Sequence, residues 1–185
     1  MTRTAIGCGI HQIDSPKMKC DMTEEEREES RFVWWTIYKL DTCFNGIALT
    51  QLGINDNLIC TFLPSISIED FTANSLRPSS KECLQTGPRG FEQVLRRDQP
   101  DQDVDCESIY VRITALLRES HVLRCLLGLN FRAEHRDQLS NIVSACHLIQ
   151  SSLPGWFHGP ARRIEQQEAP HQHRRRLEML LQFNV

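Results

Sequence analysis

The sequence predicts an all-α fold, an irregular multi-helix domain interrupted by one long polar loop. Three observations predict it. A capped, acid-led helix signal opens at Thr23. Two later stretches repeat apolar residues at helical spacing. No stretch alternates polar and apolar residues long enough to propose a sheet.

The elements follow in chain order. The opening residues predict a short helix to about His11. Thr23, with Glu26 three residues on, forms a capping box whose side chains satisfy the free N–H groups of a helix start. Glu24, Glu25, Glu26, Glu28 and Glu29 then lie where the helix dipole favours negative charge. Val33, Ile37, Leu40, Phe44 and Ile47 recur at spacings of four, three, four and three, one narrow apolar stripe on a helix reaching about Leu52. Arg27, Arg31, Trp34, Tyr38 and Asp41 fall on a neighbouring face. They predict a helix packed on two sides, anchored by Trp34 and Trp35, with Arg27 or Arg31 pairing with Asp41. An extended stretch follows and ends at Leu63-Pro64, where proline stops regular structure.

From about Ser65 to Cys106 the chain turns polar, with prolines at 78, 88 and 100. It predicts a disordered surface loop, with Ser79 or Ser80 as candidate phosphorylation sites set against a plain solvated loop. Ile109, Ile113, Leu116, Leu117, Leu123 and Leu127 predict the next helix, with Gly128 as its stop. Leu139, Ile142, Val143, Cys146, Ile149 and Leu153 predict another, ended by Pro154. Their short connection favours an antiparallel pair. A last basic stretch carries Arg162, Arg163, His171, His173, Arg174, Arg175 and Arg176. It reads as a solvated helix start, with Leu177, Leu180 and Leu181 inward and the arginines in water, in preference to a nuclear localisation signal or phosphate-binding patch.

Composition narrows the function classes. A chain of 185 residues buries one substantial core, and a formal net charge of −3 gives no general attraction to nucleic acid. No apolar run approaches a membrane span, and the first residues lack the pattern of a secretory signal, so a soluble intracellular protein is expected. The eight cysteines, Cys8, Cys20, Cys43, Cys60, Cys83, Cys106, Cys125 and Cys146, include no C-x-x-C pair, and free thiols are expected rather than disulfides or zinc ligands. The His171-x-His173 pair lacks a third ligand nearby. No nucleophile elbow, metalloprotease or phosphate-loop motif occurs. The Cys146/His147 and Cys8/His11 neighbours lack an orienting acid, so no catalytic residue, cofactor or metal site is expected and the chain reads as a non-enzyme.

Arg31-x-x-Trp34-Trp35 after an acidic lead-in, Asp41 six residues after the second Trp, and the closing Leu63-Pro64 resemble one stretch of a known regulatory domain. That is the middle homology region of fungal binuclear zinc cluster transcription factors, the xylanolytic activator type domain. Ala5 and Gly9-Ile10-His11 resemble the run that precedes the Trp-Trp helix in that family. The match covers about the first third of the chain. Leu153-Pro154 fits a second Leu-Pro by pattern alone, and Leu49-Thr50-Gln51 departs from the family's Gly-Arg-Pro.

The resemblance implies a regulatory rather than DNA-reading part of a nuclear regulator of metabolic-pathway genes. It implies structural roles for Gly9, His11, Arg31, Trp34, Trp35, Asp41, Leu63 and Pro64. Its partners would be other parts of a longer regulator, the transcription machinery or a small-molecule effector, with no direct DNA contact and no membrane. Zinc would belong to a cluster segment that this sequence lacks. Residues 1–64 would be the N-terminal part of the domain, 65–106 the loop, and 107–185 further helices of the same domain, with both ends expected to continue in a larger one. The alternative is a stand-alone helical interaction protein or a truncated gene product.

Overall fold

Thr23 and Glu26 start the longest helix by exchanging hydrogen bonds: Thr23 N–H donates to Glu26 Oε2 at 2.8 Å, and Glu26 N–H to Thr23 Oγ1 at 3.2 Å. In this computed structural model, residues 2–18, 21–48, 50–65, 71–73, 81, 83–84, 106–127, 133–153, 155–161 and 170–183 are described. Their helices are α1 (Thr2–Gly7), α2 (Glu24–Ala48), α3 (Cys106–Leu127), α4 (Ala133–Ser152) and α5 (Pro170–Phe183). Short 3-10 turns lie at Ile10–Gln12, Asp56–Leu58 and Gly155–His158. The fold is all-α; among the described residues the β-type pairing is one isolated antiparallel bridge, Phe62 with Cys83. Thr23→Ala removes one half of the reciprocal cap and is expected to cost about 1 kcal/mol. A urea titration followed by circular dichroism checks it.

The chain divides into two compact units, Met1–Leu84 and Gln85–Val185, a boundary inside the polar stretch 65–106. In the first unit, the opening helix does not run to His11. It breaks at Gly9, whose φ of 76° is left-handed and whose Cα hydrogen faces Met18 so closely that a Cβ would lie 2.6 Å from its Cε. The 3-10 turn then starts afresh and carries His11 toward α2. At the other end, α2 stops at Ala48, short of Leu52, as Thr50 N–H reaches back to the Asn45 carbonyl at 3.0 Å. A six-to-one bond of this kind closes a helix C-terminus.

The buried face of α2 differs from the expected stripe. Phe44 is 69% and Ile47 83% exposed, and Val33 and Leu40 are also open; of the five stripe residues only Ile37 is buried. The second expected face, anchored by Trp34 and Trp35, makes the core: Phe32, Trp34, Trp35 and Tyr38 pack with Ala5, Ile13, Ile54 and Leu63, and Glu28, Arg31, Asp41 and Thr42 are buried with them. Two tryptophans and a tyrosine give that side a large apolar area, and partners across it satisfy its charges.

Part of the expected polar loop is packed. Phe71 stacks on Phe32 with ring centroids 4.7 Å apart, and Cys83 pairs with Phe62. Phe71 is therefore not a solvated excursion, whereas Cys83 is paired through its backbone and exposed. Ser79 and Ser80 lie outside the described residues.

In the second unit, Ile109, Ile113 and Leu116 of α3 cluster with Ala145 and Ile149 of α4, with Leu153 just beyond its end and with Phe157. The first half of α3 thus faces the last half of α4, the antiparallel arrangement expected from their short connection. Leu139 and Val143, expected on the inner stripe of α4, are exposed. Arg176 corrects the reading of α5, because it is buried while Arg174 is exposed. Its guanidinium donates to the carbonyls of Phe157, Gly159 and Ala161, tying α5 to the turn after α4. Arg162, Arg163 and Gly128 lie outside the described residues, as does Pro154. No described helix is long and apolar enough to cross a membrane.

Candidate functional site

The resemblance residues converge on one side of α2, and Asp14 is the residue that organises them. Arg31 donates from Nε to both oxygens of Asp14, at 3.2 and 2.9 Å, and from Nη2 to Asp14 Oδ1 at 2.5 Å. Its Nη1 reaches Glu24 at 2.7 Å and Glu28 at 2.9 Å. The Arg31, Asp14 and Glu28 side chains are each 2% exposed, whereas Glu24 is 60% exposed. Burial works against the charge on Arg31, and hydrogen bonds to Asp14, Glu24 and Glu28 more than offset it, holding its pKa above the ordinary arginine value. The guanidinium also lies over the Phe62 ring, 5.3 Å from its centroid.

The carboxylates use their remaining acceptor capacity to grip the chain between Thr61 and Ser65. Asp14 Oδ2 accepts from Phe62 N–H at 2.7 Å. Glu28 Oε1 accepts from Ser65 N–H at 2.5 Å and from its hydroxyl at 2.7 Å. Trp35 Nε1–H donates to the Phe62 carbonyl at 2.6 Å, and the Thr61 hydroxyl donates to the Ile10 carbonyl at 2.9 Å. Leu63 and Pro64 are buried as a consequence. The extended stretch is thus held by side chains of α2 and by the loop after the Ile10–Gln12 turn.

Asp41 does not pair with Arg27 or Arg31, contrary to the sequence expectation. Ten residues on a helix separate Arg31 from Asp41 by about 15 Å along the axis, and Arg27 is further still. Asp41 instead accepts from the backbone N–H groups of Gly53, at 3.2 Å, and Ile54, at 3.3 Å, and from Asn45 Nδ2 at 3.0 Å. Arg27 donates to the Ile13 carbonyl at 3.3 Å. The same aspartate therefore fixes the turn after α2. A Cβ at Gly53 would lie 2.9 Å from its Oδ1, so glycine permits this close approach.

His11 and Trp34 form the remaining pair. Their rings lie 5.8 Å apart at an interplanar angle of 47°, and Trp34 is fully buried. His11 Nδ1 and Trp34 Nε1 are both buried without a hydrogen-bond partner, unlike Trp35. Trp34 thus contributes area and shape, and Trp35 adds a polar anchor. Asp14 and Glu28, which complete the cluster, escaped sequence reasoning. Asp14 lies in a loop 17 residues from Arg31, and Glu28 read as one more exposed acid of the helix start.

The arrangement limits what chemistry the site offers. Every guanidinium nitrogen of Arg31 is already bonded to a carboxylate, so Arg31 serves as a structural lock and not as an anion receptor. Among the described residues no group of three His, Cys, Asp or Glu side chains is placed to hold a metal ion. The described cysteines, Cys8, Cys43, Cys60, Cys83, Cys125 and Cys146, are free thiols. Cys43 and Cys125 are exposed, and Cys146 packs against the α3/α4 core. Partial burial pushes the Cys43 and Cys146 thiols up, and with nearby Cys60 and Asp14 it does so for Cys83, although Cys43 and Cys83 keep much of their surface exposed. Cys146 packs inward while His147 is exposed, so those neighbours are not brought together. No protein-family model, curated protein or solved structure matches the chain.

Proposed function

We propose that this chain is a regulatory, non-DNA-reading helical module of a transcription regulator, of the kind that accompanies fungal binuclear zinc clusters. One observation supports the reading. His11, Arg31, Trp34, Trp35, Leu63 and Pro64, scattered in sequence, come together along one side of α2, and Asp41 fixes the turn that follows it. A motif that assembles a single local structure is a fold signature, and a fold signature is what the resemblance requires.

In this reading the module works in the nucleus on metabolic-pathway genes without touching DNA, and it performs no catalysis. Its partners are the rest of a longer regulator or the transcription machinery, with a small-molecule effector as a further ligand. Any zinc belongs to a separate cysteine-rich segment. The second reading, a stand-alone helical interaction protein, is favoured by the exposed Val33, Leu40, Phe44 and Ile47 on the outer face of α2.

A reporter assay separates them. The chain, fused to a heterologous DNA-binding domain in a fungal host, is expected to change reporter output several-fold, and Trp35→Ala is expected to abolish the change. A reporter that ignores the fusion, with the protein folded and nuclear, would overturn the regulatory reading and leave the interaction protein. In a gel shift, the unfused chain is expected to bind no promoter DNA. Tight, zinc-dependent, sequence-specific binding would contradict the non-DNA-reading assignment.

A further inference from the structure

His121 and Cys125 lie one turn apart on α3, four residues along the same face, where side chains of a helix meet. Cys125 Sγ sits 3.6 Å from His121 Nε2. The imidazole is buried, at 7% exposure, while the thiol is exposed. Among the described residues, this is the cysteine whose sulfur has a histidine nitrogen in hydrogen-bonding reach. The juxtaposition follows from helix geometry within a single element.

We infer that Cys125 is a site of reversible modification by small disulfides, with His121 as the proton acceptor that activates it. With the ring proton on Nδ1, Nε2 takes the S–H proton of Cys125. The Cys125 sulfur then attacks one sulfur of the small disulfide, whose S–S bond breaks as the new S–S bond forms. The departing thiolate takes the proton back from the imidazolium and leaves as a thiol. Cys125 is oxidised to the mixed disulfide, one half of the small disulfide is reduced, and His121 is returned unchanged.

One physical point separates Cys125 from three of the other cysteines. Partial burial raises the thiols of Cys43, Cys83 and Cys146, and nearby Asp14 adds to it for Cys83, so each presents less thiolate. Cys125 occupies the last turns of α3, where the helix dipole disfavours negative charge. The position on the helix therefore supplies no activation, and the proposal places it in the His121 imidazole.

The test is incubation of the full chain with oxidised glutathione, followed by peptide mapping of each cysteine over time. Cys125 is expected to form the mixed disulfide about tenfold faster than exposed Cys8. In His121→Gln, with an unchanged circular dichroism spectrum, its rate is expected to fall below that of Cys8 while the other cysteines keep theirs. Dithiothreitol is expected to restore the free thiol. In the unmodified protein, a Cys125 rate no higher than that of Cys8 would overturn the proposal without recourse to any variant. Retention of the fast rate in a folded His121→Gln would remove the histidine from it.

Discussion

Arg31→Leu is expected to unfold the first unit. The substitution leaves Asp14 and Glu28, both buried, facing each other without the cation between them. Breaking a buried pair in this way costs about 3–5 kcal/mol. The whole stability of a small domain is about 5–15 kcal/mol. The loss also propagates, because the same two carboxylates hold Phe62 and Ser65. Arg31→Lys is expected to recover only part of the stability, since one ammonium cannot reproduce bonds from three guanidinium nitrogens. Glu24→Gln, at the exposed corner of the same cluster, is expected to cost less than about 1 kcal/mol. Hydrogen exchange read on α2 amides checks all three, and an Arg31→Leu protein with native protection there would refute the lock.

Trp35→Ala is the second large loss, about 3–5 kcal/mol, from removing a fully buried indole. Its conservative variants resolve the roles of the two tryptophans. Trp35→Phe keeps most of the ring area but leaves the Phe62 carbonyl without its donor, for about 1–3 kcal/mol. Trp34→Phe removes an N–H that has no partner, so the desolvation already spent on that group is recovered and the net cost is expected to be under about 1 kcal/mol. Urea denaturation of the three variants gives the order directly. Equal costs for Trp34→Phe and Trp35→Phe would contradict the distinction.

The start of α2 was legible because a capping box is local: Thr23 and Glu26 need only each other. The all-α class and the α3/α4 pairing were legible because periodicity and a short connection suffice for both. Which of the two expected faces of α2 is buried was not. The face of Arg31, Trp34, Tyr38 and Asp41 was expected to pack and does, but the stripe of Val33, Leu40, Phe44 and Ile47 expected beside it is exposed, and Glu28 read as one more acid of the helix start. The burial of Glu28, Arg31 and Asp41 depends on Asp14, Phe62, Gly53 and Ser65, none of which lies near them in sequence. The pairing of Arg31 with Asp41 failed for a related reason: sharing a helix face says nothing about separation along the axis. Arg176 read as solvated because its partners are carbonyls of the turn after α4, which residue type does not reveal. The His121/Cys125 spacing was present in the sequence, and a scan for pairs four apart would have found it.

The clamp that holds Thr61 to Ser65 also sets the order in which the first unit can assemble. Its bonds join Ile10 to Thr61, Asp14 to Phe62, Glu28 to Ser65 and Trp35 to Phe62, with separations of 51, 48, 37 and 27 residues. A helix of 25 residues with its own cap can form early and locally. Its tryptophan face becomes covered only after the chain has returned from Ala48 to Pro64. The first unit therefore has the secondary structure of a fast-folding bundle and the long-range closures of a slower topology. Until those closures occur, α2 presents apolar side chains around most of its circumference, and that interval is when chains of this sequence are most prone to associate with one another.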